Sequence, residues 1–392
     1  MKSKKIIFVV LDGVGIGALP DASSYGDQGA NTVGNIARLL GGLRLPNLQR
    51  LGLGRLARIA GLDPDLPVEG SYGKMAELSK GKDSTTGHWE LAGIVTDQAF
   101  PVYPQGFPGE VLDRFLSATG CTGYLGNKPA SGTEIIRELG DEHRQTGFPI
   151  VYTSGDSVFQ IAAHEEVIPV ADLYEICRKT REEVLVGDHR VGRVIARPFV
   201  GNSGAYTRTP NRKDFAVEPE GKTVLDVLAE QGIDTVAIGK IDDLFSGRGL
   251  SKKIHTRSNR DGVDRIVEVG ETMDSGLLMA NLVDFDMLFG HRQDVPGFAA
   301  ALEEFDESLP RIAECLNEGD LLMITADHGN DPTDKSTDHT REYVPILCYS
   351  IPGRGGVDLG VRSSFADAGK TVADFFDVGQ ELAGNSFLSM VR

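Results

Sequence analysis

Carboxylates and imidazoles recur where apolar runs of this chain end. "LLMITADHGND" leads a β-branched run into Asp327 and His328. "LLMANLVDFDMLFGH" does the same with Asp284, Asp286 and, five residues on, His291. "STDHTREYVPI" sets His339 just before another apolar run, and "KKIIFVVLDGVGIGALPD" closes its run at Asp12. Three of the eight histidines therefore lie between residues 291 and 339, each near a carboxylate. Mixed carboxylate and imidazole donors suit Mn²⁺, Zn²⁺ or Fe²⁺ better than Ca²⁺ or Mg²⁺. These donors are more than one catalytic ion with an open position needs, so two ions are expected. Ions ~3.5–4 Å apart clamp the attacking and leaving oxygens of phosphoryl transfer.

The glycines after Asp12 admit a rival reading as a dinucleotide loop. Their spacing is G-x-G-x-G-A, not G-x-G-x-x-G opening into a helix, and Pro20 follows soon after. A carboxylate at the strand tip repels a pyrophosphate but holds a cation. A solvated Asp capping the next turn is the bland alternative. A nucleophile candidate stands in "GKDSTTGHWE", where Gly81 and Gly87 bracket what reads as a tight turn carrying Asp83, Ser84, Thr85 and Thr86. Ser and Thr need activation to act as nucleophiles, and a bound metal supplies it. The same D-S-T-T cluster also reads as an ordinary helix N-cap.

The elements that must position these residues are short and apolar. Ile6–Leu11, Val236–Ile238, Leu277–Val283 and Leu321–Thr325 read as buried parallel strands. "TVLDVLAEQG" reads as a helix closed by Gly232, and "GFAAALEEFDESLPRIAECLNEGD" as a longer amphipathic helix kinked or broken at Pro310. Alternating strands and helices predict a doubly wound α/β sheet with its site at the carboxyl ends of the strands. The stretch 100–217 differs in texture, with Pro/Gly-rich edges and strand-like runs of its own at Ile150–Thr153 and Val191–Ala196. It reads as a smaller α+β cap domain inserted into a discontinuous core of 1–99 and 218–392. The length of 392 residues suits two domains.

A formal charge of −17 argues against nucleic acid or an anionic membrane as the main partner. A small anionic substrate would need local positive charge from ions or arginine. None of the four cysteines forms a C-x-x-C pair, no stretch approaches a membrane span, and the first apolar run is too short for a signal segment. A cytoplasmic protein is expected.

Together, Asp12 after a first strand, the Asp-Ser turn, "VDFDMLFGHR", "TADHGND" and "TDHTREYVP" resemble the alkaline phosphatase superfamily of metalloenzymes. "GNKPASGTEI", "VYTSGDSVFQIAAHEE", "VGRVIARPFVG", "TRTPNR" and "AIGKIDDLFSGRG" narrow the resemblance to the phosphopentomutase family, from the N-terminus to about residue 345. The resemblance implies an isomerase moving phosphate between C1 and C5 of ribose or 2-deoxyribose. It implies an alkaline-phosphatase-like core with a substrate-recognising cap, two Mn²⁺ ions, a phosphorylated side chain and a sugar bisphosphate as priming donor. By position, Asp12, Asp327 and His328 would hold one ion beside the nucleophile, and Asp286, His291 and His339 the other. Ser154, Asp156, Arg193, Arg208 and Lys240 match positions that contact the sugar phosphate. Arg193 and Arg208 are suited to a distal phosphate and Asp156 to a sugar hydroxyl; a surface salt bridge is the plain alternative for each arginine. The phosphorylated residue of the family follows the Asp of G-K-D and is often Thr; here Ser84 stands there with Thr85 next, and Ser84 is the assignment chosen.

Three rival functions remain at this level. One is another enzyme of the superfamily, such as a cofactor-independent phosphoglycerate mutase or a phosphatase. The others are a nicotinamide dehydrogenase built on "GVGIG" and a non-catalytic metal-binding protein. Phosphate release without isomerisation, nicotinamide binding without a metal response, and metal binding without a nucleophile would mark them respectively.

Overall fold

The computed structural model describes residues 4–392. These form two compact units, one comprising the chain up to Ala99 together with Pro219–Arg392, the other Phe100–Glu218.

The first unit is built on a mixed sheet. Its strands run in the order Lys252–Ile254, Thr235–Ile238, Gly276–Leu282, Lys5–Leu11, Leu321–Thr325, Val344–Ser350, Ser71–Met75 and Asp358–Arg362. The first five are mutually parallel. Val344–Ser350 is antiparallel to both of its neighbours. Lys5–Leu11 lies between the two strands whose sequences end in ligand-type residues, with Leu11 beside Leu282 and Val10 beside Thr325. That placement follows from composition: the strand is β-branched and buried along its whole length, so it belongs in the middle of a sheet covered on both faces. The doubly wound α/β core is present, and its four expected parallel strands lie within a residue of the expected bounds.

The helices add two differences. The helix after Thr223 spans Val224–Glu230, capped by a reciprocal Thr223–Asp226 box, and Gly232 takes a left-handed φ just beyond it. Val295–Ala313 runs through Pro310 without breaking. Proline removes the N–H that would serve the Asp306 carbonyl one turn earlier. Asn47 replaces it, its Nδ2 donating to that carbonyl at 2.9 Å. The turn Gly81–Asp83 is followed at once by the helix Ser84–Leu91, so Gly87 lies inside a helix and does not close a turn. Asp83 is the N-cap, accepting from the Thr86 N–H at 3.1 Å.

The second unit has a sheet of Leu125–Pro129, Ile150–Thr153, Val158–His164, Arg193–Val200 and Thr207–Arg208, with Lys213–Ala216 also paired to Arg193–Val200. Alternation divides its side chains between two faces. Val151, Phe159, Ile161, Val194 and Ala196 join one apolar cluster, while Ile150, Tyr152, Ala162 and Phe199 join another. Arg193, Ile195 and Arg197 follow the Phe199 side of their strand.

Candidate metal centre and nucleophile

The carboxyl ends of three neighbouring strands converge at one place. Asp12 follows the central strand and its N–H donates to the Leu282 carbonyl at 3.2 Å. Asp286 lies in the helical turn after Gly276–Leu282, and Asp327 and His328 follow Leu321–Thr325. His339 precedes the antiparallel strand Val344–Ser350, which starts where its parallel neighbour ends. All except His291 are buried.

The six side chains form two adjoining groups. His328 Nε2 lies 3.4 Å from Asp12 Oδ1 and 3.4 Å from Asp327 Oδ2. His291 Nε2 lies 3.3 Å from Asp286 Oδ2, and His339 Nε2 lies 3.2 Å from Asp286 Oδ1. Asp286 also comes within reach of Asp12 and His328, so the two groups share an edge.

Proton placement tests whether these groups fit cations. The Nδ1 atoms of His291, His328 and His339 lie 2.7, 3.0 and 3.0 Å from the carbonyls of Thr337, Gly329 and Lys82. A carbonyl only accepts, so each Nδ1 carries a proton and each neutral ring turns an Nε2 lone pair inward. His291 Nε2 and His339 Nε2 then face each other at 3.2 Å beside the Asp286 carboxylate. Asp327 Oδ2 is buried without a directed hydrogen bond. Lone pairs and carboxylate oxygens converging in a buried space fit divalent cations. The electrostatics call for positive charge in this same space, as a cation or as a proton on an imidazole Nε2. Burial opposes protonation of His328, yet Asp327, Asp12 and Asp286 hold its pKa well above the ordinary imidazole range. Burial raises Asp327, but His328 and His88 bring it down to about 2. Asp286 stands well below the usual carboxylate range because His339 and His291 outweigh its burial.

Ser84 is the first residue of its helix. Its Oγ lies 3.0 Å from His328 Nε2 and 3.5 Å from Asp12 Oδ1. Thr85, buried beside it, makes no described contact with either group. Helix and strand end meet without a gap: a Cβ on Gly87 would lie 2.1 Å from the Asp327 carbonyl.

Sequence reasoning missed the side chains that donate to, or contact, the candidate ligands. Asn281 Nδ2 donates to Asp12 Oδ2 at 3.1 Å, and Asn330 Nδ2 to Asp286 Oδ1 at 2.7 Å. His88 Nδ1 lies 3.1 Å from Asp327 Oδ2. Asn281 and Asn330 stand within five residues of a ligand, a signal available in the sequence. Glu342 was missed as well. It accepts from the N–H groups of Gly17 and Thr32 and from the hydroxyls of Thr32 and Thr340, fixing the loop after Asp12 to the His339 segment. Gly15 makes room for it, since a Cβ there would lie 2.4 Å from Glu342 Oε2.

The remaining expected site residues divide between the units. Lys240 follows the strand Thr235–Ile238, with its Nζ 3.9 Å from Asp12 Oδ2. Ser154 and Asp156 lie in the turn between two strands of the second unit, where Arg193 sits 3.6 Å from Asp156 and 3.5 Å from Asp214. Arg208 pairs through its backbone with Phe199, six residues along the strand from Arg193. Six extended residues span about 20 Å, so the two arginines enter this surface at different points. Arg208 instead lines a cavity of about 150 Å³ with Arg197, Arg212, Pro198 and Thr209. No helix is long and apolar enough to cross a membrane among the described residues.

Residues 4–380 match the metalloenzyme superfamily. A phosphopentomutase of Acetivibrio thermocellus is 56% identical over 388 residues, 99% of this chain and 100% of its own. One of Dictyoglomus thermophilum is 56% identical over 389 residues, 99% of each chain. Among solved structures, a protein of Pyrococcus horikoshii covers 98% of this chain and 100% of its own at 14% identity and a TM-score of 0.50, a likeness of fold.

Proposed function

The chain belongs to the metalloenzyme superfamily and, within it, to the phosphopentomutase family of isomerases, and on that premise we propose that it interconverts ribose 1-phosphate and ribose 5-phosphate, and their 2-deoxy equivalents, through a phosphate carried on Ser84. The observation that carries this reading is Ser84 Oγ, 3.0 Å from His328 Nε2 at the edge of two adjoining ligand groups.

Asp12, Asp327 and His328 would hold one Mn²⁺ and Asp286, His291 and His339 a second; bound there, the ions supply positive charge at the phosphoryl oxygens and acidify the hydroxyl. The chain's own residues do the rest. The Ser84 proton has an acceptor in Asp12 Oδ1 at 3.5 Å. Ser84 opens an eight-residue helix, whose N-terminal N–H groups favour the negative charge of a phosphorylated side chain. Phosphoserine gives its phosphoryl group to the free C1 or C5 oxygen of the sugar monophosphate, and the Ser84 oxygen leaves as the P–O bond breaks. Ser84 then takes the other phosphate back, so atoms and charge balance over the cycle. A sugar bisphosphate would load Ser84 at the start.

Substrate recognition falls to Ser154, Asp156, Arg193, Arg208 and Lys240 in this reading. Asp156 and Arg193, 3.6 Å apart, suit ring hydroxyls. Arg208, with Arg197 and Arg212, suits a phosphate dianion. The Tyr152 hydroxyl, buried in the field of these three arginines without a hydrogen-bond partner, is a further donor for it. A reducing compartment, the cytoplasm, suits a chain with four free cysteines, three of them buried.

The test is mass spectrometry of the peptide Gly81–Glu90 after incubation with ribose 1,5-bisphosphate, alongside metal analysis and an isomerisation assay. Phosphate on Ser84, lost in Ser84→Ala together with isomerisation, is expected. An unmodified peptide in an active enzyme, or phosphate release without isomerisation, would overturn the reading.

A further inference from the structure

His88 takes no part in the mechanism above, yet it is wholly buried between two of that mechanism's components. It lies one helical turn beyond Ser84, and its Nδ1 is 2.8 Å from the Ser84 carbonyl. The same Nδ1 is 3.1 Å from Asp327 Oδ2. Carbonyl and carboxylate both accept only, so Nδ1 carries the proton. Its hydrogen bond is directed at the carbonyl, leaving Asp327 Oδ2 in contact with the positive end of the N–H dipole but without a directed hydrogen bond, 3.4 Å from His328 Nε2. Nε2 is buried with no partner, which costs a neutral ring least when that atom is a bare lone pair. Asn281 and Asn330 offer neutral N–H groups to Asp12 and Asp286 in the same way. Each of the three carboxylates thus faces a neutral side-chain N–H, Asp327 accepting at Oδ1 from the Gly13 N–H at 3.1 Å as well, and of the three side chains only His88 also touches the nucleophile's own backbone.

We infer that His88 is a positioning residue that sets the distance between Ser84 and Asp327 through the single N–H at Nδ1. The inference rests on the reading of Asp327 as a ligand and Ser84 as the phosphate carrier. The backbone contact at Gly87 brings helix and strand end together; His88 fixes how the side chains meet once they are in contact.

Position of the donor, not its mere presence, is what the test must read. Asparagine places its Nδ2 the same number of bonds from Cα as the histidine Nδ1, whereas glutamine places its nitrogen one bond further. His88→Asn is expected to keep Mn²⁺ affinity at the site of Asp12, Asp327 and His328 within a few-fold of the parent and to accept phosphate on Ser84. His88→Gln is expected to bind Mn²⁺ there about 10- to 100-fold more weakly, the usual cost of losing a partner behind a metal ligand. Its kcat should fall while KM for ribose 5-phosphate stays unchanged. Equal Mn²⁺ affinity and equal phosphorylation in the two variants would overturn the inference. Should neither variant fold, the parent loaded with diamagnetic Zn²⁺ decides by ¹⁵N spectroscopy of the imidazoles. A neutral Nδ1–H tautomer at His88 supports the inference, and an Nε2–H tautomer overturns it. If the parent binds no divalent cation, or Ser84→Ala is still phosphorylated in this peptide, the reading of the site itself fails. If the parent behaves as proposed and only the Asn and Gln contrast is missing, the inference about His88 fails alone.

Discussion

His291 Nε2 and His339 Nε2 face each other at 3.2 Å, and each ring presents its other nitrogen to a backbone carbonyl. Two imidazole lone pairs at that distance beside a carboxylate repel unless positive charge lies among them. His339→Ala or Asp286→Ala is therefore expected to lose one equivalent of Mn²⁺ and nearly all isomerase activity with the fold intact. Metal analysis, circular dichroism and the isomerisation assay check it together; full activity with one equivalent missing would contradict it.

Ser84→Thr should keep measurable activity, because the hydroxyl stays at the first position of the helix near His328 Nε2. Thr85→Val should be far milder than Ser84→Ala, since Thr85 makes no described contact with either ligand group. Phosphopeptide mapping of both variants decides the order of the two residues. Phosphate that persists in Ser84→Ala and vanishes in Thr85→Val would move the nucleophile to Thr85.

Arg208→Ala should raise KM for ribose 5-phosphate by one to several orders of magnitude while leaving metal content alone. Loss of a charge-assisted phosphate contact costs on the order of 2–5 kcal/mol where the site is desolvated. Arg197→Ala should act in the same direction, as both residues line the same cavity. An unchanged KM in both would make this cluster a surface feature.

Glu342 gives a pH signature. Burial raises its pKa above 4.5, although four donors pull the other way. As pH rises the unfolded chain loses this proton first, so the group's contribution to stability declines between its unfolded and folded pKa values. Glu342→Gln retains one carbonyl oxygen for the two N–H groups and can donate to the two hydroxyls if they rotate. The thermal midpoint of Glu342→Gln minus that of the parent should accordingly grow between pH 4.5 and pH 7.5. A constant difference would contradict it.

The convergence of the central carboxylates was legible because they end apolar runs, and a parallel sheet carries all such ends to one edge. Asp12, Asp286 and Asp327 meet for that reason, and spacing alone suggested them. The start of the helix Ser84–Leu91 was legible as one of two readings of the D-S-T-T cluster, an N-cap, but its course was not, because it is buried on nearly every side and shows no amphipathic period. His88 reads for the same reason as an ordinary core residue; its role depends on Asp327, which only the folded chain brings near. The strands Ser71–Met75 and Asp358–Arg362 are short and contain glycine, so period-2 patterning barely marks them. The separation of Arg193 from Arg208 was hidden too, because it depends on the antiparallel register of a two-residue strand.

Pro310 shows what else the sequence conceals. Its helix persists because Asn47, far away in the chain, serves the Asp306 carbonyl. Asn47→Ala should destabilise the chain by about 1–3 kcal/mol, the cost of a buried group left unpaired. Pro310→Ala restores the missing N–H and should reduce that penalty in the double variant. Urea titration of the four proteins measures this coupling, and strict additivity would dismiss it.

The central place of Lys5–Leu11 bears on how the chain is made. This strand leaves the ribosome well before its two sheet neighbours, which begin only at Gly276 and Leu321. Until then "KIIFVVL" is a seven-residue, β-prone segment without charge beyond its first residue, the kind that pairs with copies of itself. Phe100–Glu218 is a continuous stretch with its own sheet and can complete itself meanwhile. Translation that stalls after residue 218 would thus leave a finished second unit tethered to a sticky N-terminal strand. The demand for a chaperone falls on that first strand, and lasts until the final third of the chain has emerged.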